Sequence, residues 1–91
     1  MIATGSARPL EDAFRIAQSE LVRWTAAETG LSVLDAYQLV SQAVLSPVAN
    51  VVDTAYTMTA KLPKAVLPGV TPMAGTHARL REQAAAWRAA R

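Results

Sequence analysis

Apolar residues recur at helical spacing over residues 9–29. The intervals along this stripe are 4, 3, 4 and 3, and its members are Leu10, Phe14, Ala17, Leu21 and Trp24. Side chains at these intervals lie on one face of an α-helix. Pro9 suits the first helical position, and Gly30 follows where a left-handed C-cap is favoured. The pattern predicts a helix over 9–29 that packs through this face.

A second helical pattern covers residues 33–45. Ser32 is a natural N-cap, and Asp35 stands three positions on as a capping-box partner. The apolar face consists of Val33, Ala36, Tyr37, Val40 and Val44, and it is widened by Leu34, Leu39 and Leu45. Such a broad face predicts burial on more than one side. Pro47 ends the helix.

Residues 51–62 alternate between two sets of side chains, as in a β-strand. Tyr56, Met58, Ala60 and Leu62 form one set, and β-branched residues are frequent in this stretch. A lone strand leaves its backbone groups unpaired, and the sequence offers no convincing second strand. We therefore expect this strand to need an external sheet.

The remaining residues predict a linker and a tail helix. Residues 65–75 contain Pro68, Gly69, Pro72 and Gly75, which are typical of a linker, and residues 76–91 form an Ala- and Arg-rich helical pattern. The predicted fold class is α+β, with two packed helices, one strand and a C-terminal tail helix. The predicted organisation is a segment over 1–64, a linker over 65–75 and a tail helix over 76–91.

Composition limits the chain to a small domain. It has 91 residues and is 52% hydrophobic, but much of that share is alanine, and only five residues are aromatic. Such a core is thin at this size, so a partner is expected to add stability. The absence of cysteine excludes disulfides and thiolate metal sites. Neither a leader pattern nor a membrane-span pattern is visible, so a cytoplasmic location is expected.

The residues with potential chemistry do not form a recognisable site. His77 is the only histidine and falls near the start of the tail helix, where a surface position is expected. Ser32 and Asp35 are explained by helix capping, and Ser41 has no base in helical register to activate it. Asp53 lies at the predicted strand start, where an acid more often ends a turn. We assign no catalytic, cofactor-binding or metal-binding residue from these patterns.

The tail arginines do not indicate a nucleic-acid or membrane partner. The net charge is +2, and the basic excess comes from Arg79, Arg81, Arg88 and Arg91. No aromatic stacking residues accompany them in a nucleic-acid-binding pattern, and the apolar positions of the tail are mostly alanine. A solvated helix face is the expected role.

Several short motifs, in order and at the right distances, resemble the C-terminal part of the acetamidase/formamidase family. The matching residues are Thr4-Gly5, Leu10 with Ala13, Trp24, Gly30-Leu31-Ser32, Ala36-Tyr37, Leu39 with Ser41, Asn50-Val51-Val52-Asp53 and Leu62-Pro63-Lys64. The resemblance covers about residues 2–64. It departs from the family at Val44-Leu45-Ser46, where the family has Gly-Asp-Leu, so any role of that acid does not transfer. It also departs at Asn50, where the family has Gln.

The resemblance implies a segment of a β-rich amidohydrolase that hydrolyses the C–N bond of short linear amides and releases ammonia. It also implies an oligomer whose core, upstream of this segment, binds a divalent metal and holds the catalytic residues. The 91-residue chain is then expected to be inactive alone and to bind the missing core, or other subunits, through its strand and helix faces. The alternative is a stand-alone helical module that binds a protein partner without enzymatic activity.

Overall fold

The computed structural model describes all 91 residues as a mixed helix-and-strand fold. The elements in chain order are β1 (Ile2–Ala7), α1 (Leu10–Thr29), α2 (Val33–Ala43), β2 (Val48–Asn50), β3 (Tyr56–Lys61), two short 3-10 helices (Lys64–Val66 and Pro72–Gly75) and α3 (Thr76–Ala89). None of the helices combines the length and the apolar character that crossing a membrane requires.

The strands form one antiparallel sheet in the order β1-β3-β2. The predicted strand over 51–62 begins only at Tyr56, and it pairs with two strands of its own chain. The prediction of a lone strand that needs an external sheet is therefore wrong. The sequence of β1, Ile-Ala-Thr-Gly-Ser-Ala, contains mostly small side chains, so it lacks the alternation of large apolar residues by which strands are recognised.

The two faces of the sheet differ in character. Gly5 pairs with Met58, and both residues are buried on the face that α1 covers. The opposite face is mainly polar and consists, in the β1–β3 pair, of Ile2, Thr4, Ser6, Thr57, Thr59 and Lys61. On that face the hydroxyl oxygens of Ser6 and Thr57 are 2.8 Å apart and hydrogen-bonded. The molecule thus has one helical layer over an antiparallel sheet whose other face is uncovered by its own helices.

Helix α1 approaches β1 at main-chain distance. A Cβ atom at Gly5 would lie 2.6 Å from the Ala17 amide nitrogen and 2.8 Å from the Ile16 Cβ, and it would also overlap the Ala13 carbonyl oxygen. Contacts this short do not occur between real Cβ atoms and their neighbours. Gly5 is therefore the residue that permits the close approach of the helix to the sheet.

The core is built from small and medium-sized residues. Its buried apolar members are Ala13, Ala17, Leu21, Val22, Ala36, Val40, Met58, Ala60, Leu62 and Leu67. The predicted stripe of α1 is correct at Ala17 and Leu21, which are buried, and at Leu10 and Trp24, which are partly buried against the core, but Phe14 is 42% exposed. The helix is rotated relative to the prediction because Ala13, next to Gly5, faces the sheet. A phenylalanine at this interface would hold the two main chains apart.

Helix α2 is buried on one side only. Ala36 and Val40 are buried, whereas Leu34 is 76% and Tyr37 is 60% exposed. The prediction that this helix is buried on more than one side is therefore wrong within this chain. We use the name α2 outer surface for its exposed apolar residues and the residue before the cap: Leu31, Val33, Leu34 and Tyr37.

The segment that follows β3 is partly packed against the core. Residues 65–75, which the composition suggested as a linker, include parts of two 3-10 helices, and Leu67 is only 6% exposed. Helix α3 forms where the tail helix was predicted, and none of its residues is buried. Its largest apolar side chains, Leu80 and Trp87, are 57% and 60% exposed.

Removing residues 76–91 is expected to change the stability of the rest of the chain little. Because α3 buries no residue, its deletion exposes little apolar surface, and each Å² contributes only about 25 cal/mol. We expect the thermal unfolding midpoint of residues 1–75, followed by circular dichroism, to stay within about 5 °C of the full chain. A larger fall would mean that Leu80 or Trp87 packs against the core.

Candidate functional site

Ser32 and Asp35 lie at the start of α2 and serve to cap it. The Asp35 backbone N–H donates a hydrogen bond to the Ser32 hydroxyl oxygen at 3.1 Å. The predicted N-cap is therefore confirmed. The Asp35 carboxylate makes no return hydrogen bond to the Ser32 N–H, so only half of the expected capping box forms. Gly30, immediately before, adopts the left-handed conformation with φ of 76° and ends α1 as predicted.

Ser41 and Asp53 make local hydrogen bonds at separate places in the fold. The Ser41 hydroxyl donates to the Tyr37 carbonyl oxygen at 2.7 Å, one helical turn back on α2. The Asp53 carboxylate accepts a hydrogen bond from the Asn50 side-chain amide at 3.0 Å. Asp53 thus lies in the turn between β2 and β3 and not at the start of a strand. Both geometries match the structural roles that the sequence favoured.

His77 lines a cleft between α3 and the rest of the fold. The cleft has a volume of about 740 Å³ and is lined by residues from the N-terminus and β1, from α1, from the two 3-10 helices and the segment between them, and from the first turns of α3. Lys64 and Arg81 also line it, together with the half-buried ring of Trp24. His77 and Arg81 lie one turn apart on α3, but no sequence pattern links them to Trp24 on α1 or to Lys64 in the first 3-10 helix.

The titratable groups do not converge on a catalytic or metal centre. No group of three His, Cys, Asp or Glu side chains lies close enough together to hold a metal ion. The ion pairs that form are local to α1, where Arg15 contacts Glu11 and Asp12, and Arg23 contacts Glu20. These pairs are exposed, and exposed pairs stabilise a helix only slightly.

The motif residues that suggested a family occupy positions where the fold requires close packing, a particular backbone conformation or a helix cap. Gly5 permits the α1–β1 contact, Gly30 has a positive φ, and Ser32 caps α2. Ala13 and Ala36 are 0% exposed, and Leu62 is 2% exposed. These motif residues thus have clear roles in the folding of this segment.

Comparison with solved structures finds a crystal structure of acetamidase from Yersinia enterocolitica. The two chains are 47% identical, and the superposition gives a TM-score of 0.69. The match covers 72% of this chain, close to the extent expected from the motifs, but only 20% of the acetamidase. No protein-family model matches the chain, and neither does any curated protein. The predicted resemblance to the acetamidase/formamidase family, over a segment, is confirmed.

Proposed function

Because most of this chain is related to a segment of the acetamidase/formamidase family, we propose that it completes the fold of an amide hydrolase and is catalytically incomplete alone. The observation that carries the proposal is 47% identity together with a TM-score of 0.69, over a match that spans 20% of the Yersinia enterocolitica acetamidase. Identity at this level over a superimposable backbone favours this role over that of an unrelated stand-alone interaction module.

The proposed reaction is hydrolysis of the C–N bond of a short linear amide, with release of ammonia. Such a reaction needs an activated nucleophile or water, a proton donor for the leaving amine and hydrogen-bond donors for the developing oxyanion. These 91 residues contain one histidine and no cysteine, and the histidine lies on α3 away from any acid cluster. The reacting groups are therefore proposed to lie in the remainder of the hydrolase.

The divalent metal that the resemblance implies does not fit the residues of this segment. Zinc-type centres take three or four converging side chains, and no such group of His, Cys, Asp or Glu is present. We derive no step through a metal here. If a metal takes part in the reaction, its ligands are proposed to come from the rest of the hydrolase.

The α2 outer surface is the proposed contact with the rest of the hydrolase. Leu34 and Val33 are 76% and 58% exposed, and Tyr37 is 60% exposed, although all three lie on one helix next to a buried face. Contiguous exposed apolar residues commonly mark an interaction surface. The partner is proposed to be the remaining acetamidase-like fold, because the match leaves most of the acetamidase chain without a counterpart here.

A chimeric enzyme tests the proposal. The segment of the Yersinia enterocolitica acetamidase that matches this chain is replaced by the corresponding residues of this chain, and ammonia release from acetamide and formamide is measured. We expect the chimera to release ammonia and the 91-residue chain alone to release none. Leu34→Glu in the chimera is expected to lower activity by about tenfold or more, since it places a charge in a buried contact.

The matched control is Gln42→Glu, which adds the same charge on a different face of α2. Gln42 is exposed, and it is not part of the α2 outer surface. We expect the control chimera to keep its activity, and both substitutions to leave the helical content of the 91-residue chain unchanged. An inactive but folded chimera, or steady ammonia release by the isolated chain, would contradict the proposal.

A further inference from the structure

We propose that the cleft between α3 and the rest of the fold binds a small organic anion that carries a carboxylate and an apolar group. Lys64, His77 and Arg81 are among the 15 residues that line the cleft, and no Asp or Glu is among them. Two cations and an imidazole, with no acid in the lining, favour an anion. This inference concerns ligand binding and does not rest on the proposed amide hydrolase role.

The cationic side chains of the cleft are free to bind a ligand. The ion pairs of this protein use Arg15 and Arg23 on α1, and none uses Lys64, His77 or Arg81. These three side chains also make no hydrogen bond within the chain, whereas their neighbour on α3, Arg79, donates to the Thr76 hydroxyl at 3.2 Å. The planar guanidinium of Arg81 is suited to a carboxylate, because it can donate two parallel hydrogen bonds.

The lining of the cleft also contains apolar residues. Among them are Trp24, Leu67, Val70 and Met73, and Leu67 is itself a core residue with 6% exposure. The indole N–H of Trp24 donates to the Glu28 carboxylate at 3.2 Å, which limits the rotation of the ring. A largely apolar lining with a few polar groups is the usual composition of a small-molecule site.

The size of the cleft agrees with a small organic ligand. Its volume of about 740 Å³ falls within the range of roughly 300–1,000 Å³ that such sites occupy. An inorganic anion would leave the apolar residues of the lining in contact with water, whereas an uncharged hydrocarbon would leave the cations without a partner. A carboxylate joined to an aromatic or aliphatic group can contact both the cationic and the apolar residues of the cleft.

Binding of 4-phenylbutyrate to the full chain tests the inference, with 4-phenylbutyramide as the neutral control of nearly the same shape. Titration calorimetry gives the dissociation constants, and indole fluorescence in a Trp87→Phe background reports on Trp24 as the remaining tryptophan. We expect saturable binding of the carboxylate, a change in Trp24 emission, and at least about tenfold weaker binding of the amide, as for loss of a charged hydrogen-bond partner.

Two charge-removing substitutions on α3 locate the site. Arg81→Gln is expected to weaken 4-phenylbutyrate binding by about tenfold or more, whereas Arg88→Gln, which lies outside the cleft lining, should leave it unchanged. Both positions are exposed, so circular dichroism should show unchanged folding. Absence of saturable binding, equal binding of the amide, or equal effects of the two substitutions would overturn the inference.

Discussion

Replacing Gly5 with alanine is expected to reduce the free energy of unfolding by about 3 kcal/mol, near the upper end of the usual cost of overpacking a core. The added methyl group would meet the Ala13 carbonyl oxygen, the Ala17 amide nitrogen at 2.6 Å and the Ile16 Cβ at 2.8 Å. Two of these three atoms belong to the main chain of α1, so no side-chain rotamer change relieves the overlap. Urea unfolding followed by circular dichroism measures the loss.

The matched control for this prediction is Gly30→Ala. A Cβ at Gly30 would meet no atom within 4 Å, and the substitution is strained only by the φ of 76°. We expect it to cost about 1 kcal/mol, as for a single residue in the left-handed region. If Gly5→Ala costs no more than Gly30→Ala, the close contact between α1 and β1 is not the constraint described above.

Leu21→Ala is expected to lower the free energy of unfolding by about 3–4 kcal/mol, through lost apolar burial and the cavity left behind. Leu21 is 0% exposed and is among the largest fully buried side chains in the fold. In a core made mainly of alanine and valine, few neighbours are large enough to fill the space. Urea unfolding curves for the variant and the parent chain give the difference.

Leu80→Ala makes the same chemical change at an exposed position of α3. Leu80 is 57% exposed, so we expect a change within about 0.5 kcal/mol, as for surface positions generally. Equal losses in the free energy of unfolding for Leu21→Ala and Leu80→Ala would show that Leu21 is not part of the core.

The helix boundaries could be predicted because their signals are local. Gly30 ends α1 and Ser32 caps α2 through conformations and hydrogen bonds confined to a few neighbouring residues. Such interactions depend on chain neighbours alone, so the sequence displays them directly. The family motifs were recognisable for a related reason, since several of them coincide with these caps and with buried small residues.

The sheet and the rotation of α1 could not be predicted because they depend on contacts between distant parts of the chain. Strand β1 carries small side chains, and its role follows from Gly5 meeting α1 and from its pairing with β3. The exposure of Phe14 follows from the same contact. The cleft beside α3 could not be predicted from the sequence either, because Trp24, Lys64 and Arg81 line it together only in the folded chain.

The contact of Gly5 with Ala13 and Ala17 also sets the distance between the helical layer and the sheet. Main-chain atoms, and not flexible side chains, set the separation between the helical layer and the sheet at this point. Substitutions elsewhere in the core can change the packing around the contact, but they have no side chain there through which to lengthen it. Helix α1 and the sheet are thus held at a fixed distance from each other at this point. We therefore expect the helical layer and the sheet to move as one unit when a partner binds either of them.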